Sequence, residues 1–326
     1  MKTPRRQSLT YTGDTEVAAG TIQAALSTAA YNAAFTPFGT GKITVNSNAV
    51  FNAQSTVAYR NNVILNGGTV MGGAGNGGSR PVVMLERVTA DSAINQSRAA
   101  IDIGAAGVTT DLNGHTVTVT IAAETYFRWY GSLDGVEGKL VVGGYGFFND
   151  FTDITGRSMV DIEIGCAVNF GVPVHVRDFK AANRDEHYGT GAMNGIYVSG
   201  TYTPVGNYYF GCVLQNGATL DISGRELPFP LTSSLVYVQT GTDEQKLARK
   251  TVRFDAGATV TVKIPSSAVS ELSKEGLRVV SWDETNRPGN DVRFVTDGEL
   301  GRKYKLSPKD DGLWLLRHRG LVIYVR

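Results

Sequence analysis

The most polar stretch of this sequence, residues 177–188, interrupts strand-like segments and combines groups that could bind or transform a sugar. Its charged side chains can hold hydroxyl groups or uronates, and a tyrosine ring can stack on a sugar. A histidine beside carboxylates also offers acid–base chemistry. A solvated loop is the ordinary alternative for such a segment. The residues predicted to bind a glycan are Arg177, Asp178, Lys180, Arg184, Glu186, His187 and Tyr188.

Two pairs of carboxylates offer a second kind of chemistry. Asp161 and Glu163 lie two residues apart on a strand-like segment and therefore share a face, while Asp150 and Asp153 belong to a turn. Neighbouring carboxylates carry out glycoside hydrolysis at separations that set the stereochemistry. A hydrophilic outer strand face explains Asp161 and Glu163 equally well, so no catalytic residue is assigned.

Metal chemistry is not expected from this sequence. Asp150 and Asp153 lie in a turn that has fewer oxygen ligands than a Ca²⁺ loop needs. None of the histidines has the spacing of a metal-ligand pair. The four histidines are His115, His175, His187 and His318.

Composition narrows the partners that this chain can have. Its 326 residues carry 31 basic and 30 acidic side chains, for a net charge of +1. Nucleic acid is not an expected partner, because binding to phosphates needs a positive field. The basic first residues lack the apolar core of a signal peptide, and no run approaches the ~18 apolar residues of a membrane helix, so this segment is not expected to insert into a membrane. Cys166 and Cys212 are expected to be small buried side chains, with a disulfide as the alternative.

The elements that must position these residues are short strands separated by glycine and asparagine turns. Asn-Gly tolerates positive φ, so the backbone can turn there, and the threonine that follows begins a strand with alternate residues pointing inward. Threonines 69 and 116 are 47 residues apart, and threonines 219 and 259 are 40 apart. These gaps fit roughly two coils of twenty-odd residues each. The repeated segments are Asn66–Val70, Asn113–Val117, Asn216–Leu220 and Ala256–Val260.

The repeat predicts an all-β chain in which residues 1–264 form a right-handed parallel β-helix, a solenoid of stacked coils that share one core. An antiparallel sandwich with Asn-Gly hairpins is the alternative. Residues 265–276 combine serine caps, a Leu/Val face and a final glycine, which predicts a short helix. Residues 277–326 predict strands. Residues 265–326 would then form a β-rich C-terminal cap that closes the exposed end of the stack.

Several of these motifs resemble the autotransporter-associated β-strand repeat of bacterial exported proteins. Leu9–Gly13 followed by Val17–Gln23 is similar to its Thr-Gly turn, valine and Gly-Thr-Ile strand. Leu65–Val70 and Asp111–Val117 resemble its Leu-Asn-Gly signature, and Asp310–Val325 is similar to the closing strands of long exported repeat proteins. The resemblance implies a passenger-like, pectin-lyase-like parallel β-helix that is extracellular or displayed on a bacterial cell surface.

Together these features predict an exported or surface-displayed structural or adhesive β-solenoid. Its expected partner is a carbohydrate or a host or cell-surface component. The alternative is a β-helical carbohydrate-active enzyme, either a polysaccharide lyase or a glycoside hydrolase of the tailspike type, that acts through residues 177–188 and nearby carboxylates. No cofactor is expected.

Overall fold

The fold is known from a computed structural model, which describes seventeen segments of the chain. They are residues 11–23, 37–53, 58–72, 81–96, 101–105, 107–122, 126–130, 132–135, 137–144, 147–151, 161–164, 167–169, 174–182, 196–207, 209–234, 242–298 and 300–318.

Short strands make up most of the described chain. In chain order, the first fifteen strands are β1 Thr15–Val17, β2 Gly20–Gln23, β3 Ile43–Asn46, β4 Ala49–Ala53, β5 Ala58–Asn66, β6 Thr69–Gly72, β7 Val82–Ala90, β8 Ser92–Gln96, β9 Ile101–Ile103, β10 Thr109–Asp111, β11 Thr116–Ile121, β12 Tyr126–Trp129, β13 Ser132–Asp134, β14 Lys139–Gly144 and β15 Phe147–Phe151. The next fifteen are β16 Asp161–Ile164, β17 Ala167–Asn169, β18 Val174–Val176, β19 Phe179–Ala182, β20 Ile196–Val198, β21 Thr201–Val205, β22 Val213–Leu214, β23 Thr219–Asp221, β24 Phe229–Pro230, β25 Arg253–Phe254, β26 Thr259–Lys263, β27 Leu277–Ser281, β28 Arg293–Thr296, β29 Tyr304–Lys309 and β30 Gly312–Arg317. The helices are α1 Asp243–Lys250, α2 Leu300–Lys303 and the 3-10 helix Ser266–Val269.

The chain passes back and forth between sheets whose strand pairs are parallel. A ten-stranded sheet has the order β1-β3-β5-β7-β9-β12-β15-β17, with β10 paired to β7 and β13. A twelve-stranded sheet has the order β2-β4-β6-β8-β11-β14-β16-β19-β21-β23-β26-β28, and a smaller sheet joins β18, β20, β22 and β25. Every described pair in these three sheets is parallel. The predicted all-β chain with parallel sheets is confirmed.

The register of the twelve-stranded sheet shows how often the chain returns to it. Thr69 is in register with Ala93 (93 − 69 = 24 residues), and Thr118 is in register with Val141 (141 − 118 = 23 residues). Between two such strands the chain passes through another sheet. The 47-residue gap between Thr69 and Thr116 does span two such returns, through β8, as predicted. The prediction of two returns is wrong for the 40-residue gap between Thr219 and Thr259, because β23 and β26 are adjacent strands.

The Asn-Gly motifs lie at the corners where the chain enters the twelve-stranded sheet. Their threonines begin β6, β11, β23 and β26, all of which belong to that sheet. The backbone turns through positive φ at each corner, as the motif predicts. The φ angles are 81° at Gly67, 48° at Asn113, 76° at Gly114, 87° at Gly217 and 70° at Gly257.

Side-chain alternation explains why the strands stack on one core. In β11, Val117, Val119 and Ile121 are buried, whereas Thr118 and Thr120 are exposed. Because residues on a strand alternate between faces, one face packs inward and the other meets solvent. Large aromatic side chains fill the interior. The aromatic residues with essentially no exposed surface are Phe51, Tyr59, Phe127, Trp129, Phe179, Tyr202, Tyr209, Phe210 and Phe229.

The C-terminal region adds a mixed sheet of order β24-β27-β30-β29, in which β30 pairs antiparallel with both β27 and β29. The sequence predicts a β-rich element in the C-terminal region, and this mixed sheet is such an element. The division at residue 264 stays a prediction. One strand after it, β28, still pairs in parallel with β26 and so continues the twelve-stranded sheet.

The helix expected over residues 265–276 is wrong in extent, since only the 3-10 helix Ser266–Val269 forms. Serine hydroxyls explain the difference because they bond to nearby backbone groups and compete with helical hydrogen bonds. Ser270 donates to the carbonyl of Ser267 at 2.6 Å, and Ser273 donates to that of Gly276 at 2.8 Å. The sequence prediction also missed α1, although Thr242 and Gln245 carry the signature of its capping box.

Buried phenol and thiol groups should make the folded protein less stable at alkaline pH. Burial raises the pKa of the Tyr59, Tyr202 and Tyr209 phenols and of the Cys212 thiol. Their stabilising effect is complete below the pKa values of the unfolded chain, about 10 for Tyr and 8.5 for Cys, and is lost as the pH rises toward the folded values. We expect urea denaturation to show the free energy of unfolding falling above pH 10, by on the order of 1 kcal/mol per pH unit for each phenol. Tyr202→Phe should reduce this slope, and an unchanged slope would contradict the assignment.

Candidate functional site

The predicted glycan-binding stretch straddles two strands of different sheets. Arg177 and Asp178 connect β18 with β19, and Lys180 lies within β19. The other four predicted residues lie outside the described part of the chain, so their predicted roles stay predictions: Arg184, Glu186, His187 and Tyr188.

The carboxylate of Asp178 has a structural partner. Its Oδ1 accepts a hydrogen bond from the backbone N–H of Thr201, the first residue of the neighbouring strand β21. The Arg177 Nε lies 3.7 Å from Asp178 Oδ2. A methyl group on Gly200 would approach Asp178 Oδ1 to 2.3 Å, so the glycine leaves room for this contact. Asp178 therefore joins the turn before β19 to the first residue of β21.

The same contact recurs at other corners of the parallel sheets. Asp14 accepts from the N–H of Lys42 at 2.8 Å, and Asp91 accepts from Thr116 at 2.8 Å. Asn216 accepts from Thr259 at 2.9 Å. In each case an Asp or Asn shortly before one strand satisfies the N–H group at the start of the adjacent strand. The sequence prediction missed this role, although the position of the acidic or amide residue before each strand carries the signal.

We expect Asp178→Ala to destabilise the protein by about 1–2 kcal/mol, because it leaves the N–H of Thr201 without its acceptor in a part-buried position. Asp178→Asn keeps an acceptor oxygen and should cost less than about 0.5 kcal/mol. Urea denaturation of both variants measures the difference. Equal stability of the alanine variant and the unchanged protein would contradict the structural role.

Lys180 joins the two candidate sites that the sequence prediction treated separately. It is exposed on β19, in register with Glu163 of β16 on one side and Thr203 of β21 on the other. One strand further, Lys139 is in register with Asp161. Basic and acidic positions therefore alternate across three adjacent strands. We call Lys139, Asp161, Glu163 and Lys180 the charged strip.

The charged strip is compatible with both roles that its carboxylates could have. Asp161 and Glu163 are two residues apart on β16, so their Cα atoms are roughly 6.6 Å apart. Glycosidases bring two carboxyl groups together on opposite sides of a sugar bond, and two acidic residues on one strand face are candidates for such a pair. In-register neighbours of opposite charge also stabilise a solvent-facing sheet. Their side chains lie outside the described part of the structure, so the assignment of Asp161 and Glu163 stays open.

Two residues of the charged strip, Glu163 and Lys180, also belong to a longer column of positions on the twelve-stranded sheet. One column of in-register residues runs across nine adjacent strands. With neighbouring strands ~4.8 Å apart, the column is about 38 Å long. Four of its nine positions are threonines, three are apolar and two are charged. Its members are Thr21, Val50, Thr69, Ala93, Thr118, Val141, Glu163, Lys180 and Thr203. We call this column the threonine face.

Shifted carboxyl pKa values are found in turns of the C-terminal region. Hydrogen bonds from the Thr285 hydroxyl and backbone lower the pKa of Asp283, and a hydrogen bond from Trp314 lowers that of Asp311. Within the described segments, no cluster of three or more His, Cys, Asp or Glu side chains is arranged to hold a metal ion. Neither described α-helix has the length and apolar character of a membrane span.

Comparison with family models, with curated proteins and with solved structures finds no match to this chain. The resemblance to the autotransporter-associated repeat is therefore supported by its own motif residues and not by an independent relative.

Proposed function

We propose that this chain is a right-handed parallel β-solenoid, exported or displayed on a bacterial surface, that acts as a structural or adhesive module and binds an extended glycan along one flank. The observation that carries the proposal is the threonine face, a column of nine in-register positions about 38 Å long. A long, straight and regular surface suits an extended polymer better than a small compact ligand.

The chemistry of the threonine face supports a sugar partner. Hydroxyl groups both donate and accept hydrogen bonds, as sugar hydroxyls do. Lys180 adds a cation of the kind that binds a uronate or sulfate, and Arg177 is a second cation at the adjacent corner. The solenoid itself is supported by the alternation of strands between parallel sheets and by the corners at Asn-Gly.

A second candidate function is cleavage of an acidic polysaccharide. One observation favours it: Asp161 and Glu163 share a strand that is flanked in register by Lys139 and Lys180. Two carboxylates between two cations could bind an acidic chain and act on its glycosidic bond. The structural role is preferred because the same alternation of charge also satisfies a solvent-facing sheet.

The proposal is tested with a panel of neutral and acidic polysaccharides, with binding measured by calorimetry and products by reducing ends and unsaturated sugars. We expect binding of at least one polymer without products. Lys180→Gln should weaken that binding roughly fivefold, because one exposed ion pair is lost. Lys246→Gln is the matched control, since this lysine lies on α1 and pairs only with Asp243 in the described structure.

Two outcomes would overturn the preferred function. If no polysaccharide binds, the glycan partner is wrong. If products form and Asp161→Asn, Glu163→Gln or His187→Ala abolishes them, the chain is an enzyme. Antibody labelling of intact source cells tests surface display separately, and labelling only after lysis would contradict it.

A further inference from the structure

The C-terminal sheet carries a concentration of positive charge away from the threonine face. A hollow of about 1100 Å³ opens between the turn at residues 272–276 and the strands β29 and β30. Basic side chains dominate its wall, with Glu275 as the acidic one. The basic lining residues are Lys274, Lys305, Lys309, Arg317 and His318. We call this the basic hollow.

Of the acidic residues next to the lining in sequence, Glu271 is exposed beside Leu272, whereas Asp310 and Asp311 are already paired with other cations. Asp310 lies 2.9 Å from Arg287, and Asp311 lies 2.9 Å from Arg278. Neither arginine lines the hollow. Four exposed cations, counted from the lining residues, therefore face one acidic side chain in a molecule whose net charge is only +1. This local excess of positive charge favours the binding of an anion in the basic hollow.

The spacing of the charges indicates an extended anion. Lys305 and Lys309 are four residues apart on β29, which corresponds to roughly 13 Å along the strand. Lys274 belongs to a different segment, and Arg317 to the adjacent strand β30. A ligand must carry several separated anionic groups to reach them all. The leucines 272 and 316 add apolar surface to the wall, which the faces of sugar rings can cover.

Other polyanions fit the surroundings less well. Single-stranded nucleic acid is usually held by exposed aromatic rings on which bases stack. Of the two aromatic residues on β29 and β30, Trp314 is covered by the Lys309 ammonium at 3.8 Å from the ring centroid, and Tyr304 packs against the hydrophobic core. A membrane surface would need exposed apolar anchors, and among the described residues the exposed large hydrophobic side chains are Tyr11 and Val295, neither of which lines the hollow.

We propose that the basic hollow binds an acidic oligosaccharide, whose carboxylate or sulfate groups contact Lys274, Lys305, Lys309 and Arg317. This site does not depend on the threonine face, and either site can exist without the other.

The test uses the full chain with two acidic hexasaccharides, an oligogalacturonate and a heparin-derived oligomer, and measures binding by calorimetry at 50 and 300 mM NaCl. We expect at least one to bind at 50 mM and to bind more weakly at 300 mM, because salt screens exposed charges. The double variant Lys305→Gln and Lys309→Gln should lower the affinity roughly tenfold. Lys305→Glu serves as a second variant that leaves the contact between Lys309 and Trp314 intact.

The controls separate this proposal from the glycan-binding flank. Lys246→Gln should leave the affinity unchanged, and so should Lys180→Gln on the charged strip. If the Lys305 and Lys309 variants keep full affinity while Lys180→Gln loses it, the basic hollow is not the site and the flank is. The proposal is also overturned if neither hexasaccharide binds, or if a single-stranded oligonucleotide of equal charge binds more tightly. Retention of the thermal midpoint in each variant shows that folding is unchanged.

Discussion

Val119→Asp should prevent the protein from folding or reduce its free energy of unfolding by more than about 4 kcal/mol. Val119 has no exposed surface, and its in-register neighbours Ile94 and Val142 are buried as well. A carboxylate at this position would lie in the core without a partner, which is among the most destabilising single changes known. Soluble yield and urea denaturation measure the loss.

The residue next to Val119 provides a matched control. Thr118 is exposed on the same strand, so Thr118→Asp should change stability by less than about 0.5 kcal/mol. The two variants introduce the same residue, aspartate, at adjacent positions of β11. Similar behaviour of the two variants would mean that the described alternation of faces is wrong.

Deletion of residues 277–326 should convert the protein into an aggregating species. The deletion removes β27, which pairs with β24, and β28, which is the last strand of the twelve-stranded sheet. The edge of β26 then has unpaired backbone groups, and core residues such as Phe229 lose their cover. Exposed parallel edges with apolar surface promote association between chains.

Light scattering and urea denaturation test the truncated chain. The intact chain with Lys305→Gln is the control, because that lysine is exposed on the same C-terminal sheet and should leave association unchanged. A truncated chain that stays monomeric and unfolds in one cooperative step would show that the residues after 276 do not close the stack.

The turns at the corners of the fold could be predicted because their conformation depends on the residues of the turn itself. Asn-Gly permits positive φ wherever it occurs, so Gly67 and Gly217 reveal turns without knowledge of the rest of the chain. The strand that follows is equally local, since Thr69 and Thr219 begin runs of alternating apolar residues. The parallel pairing then follows from a return interval of twenty-odd residues.

The contacts across coils could not be predicted in the same way. The hydrogen bond from Thr201 to Asp178 joins residues 23 positions apart, and its existence depends on the length of the coil between them. Lys180 and Glu163 are neighbours only because β16 and β19 pair in this register. A shift of one residue between the two strands would place the two side chains on opposite faces of the sheet. The candidate residues could therefore be predicted from the sequence, but not the fact that the two candidate sites share a sheet.

The predictions of the short helices were wrong for a different reason. Residues 265–276 have helical composition, but the serine side chains at 270 and 273 bond to the local backbone. The capping box of Thr242 and Gln245 does support a helix, α1, within a segment that lacks a clear apolar stripe.

The fold requires that the nine strands of the threonine face lie side by side, in the described order, along one axis. Pulsed electron paramagnetic resonance between spin labels on the threonine face tests it most directly, in a chain with Cys166→Ala and Cys212→Ala. Thr21 and Thr118 are separated by four strand intervals and should give a distance of about 19 Å; Thr21 and Thr203 are separated by eight and should give about 38 Å. A second distance that is no longer than the first would contradict the stacking of coils and the flank proposed to bind a glycan.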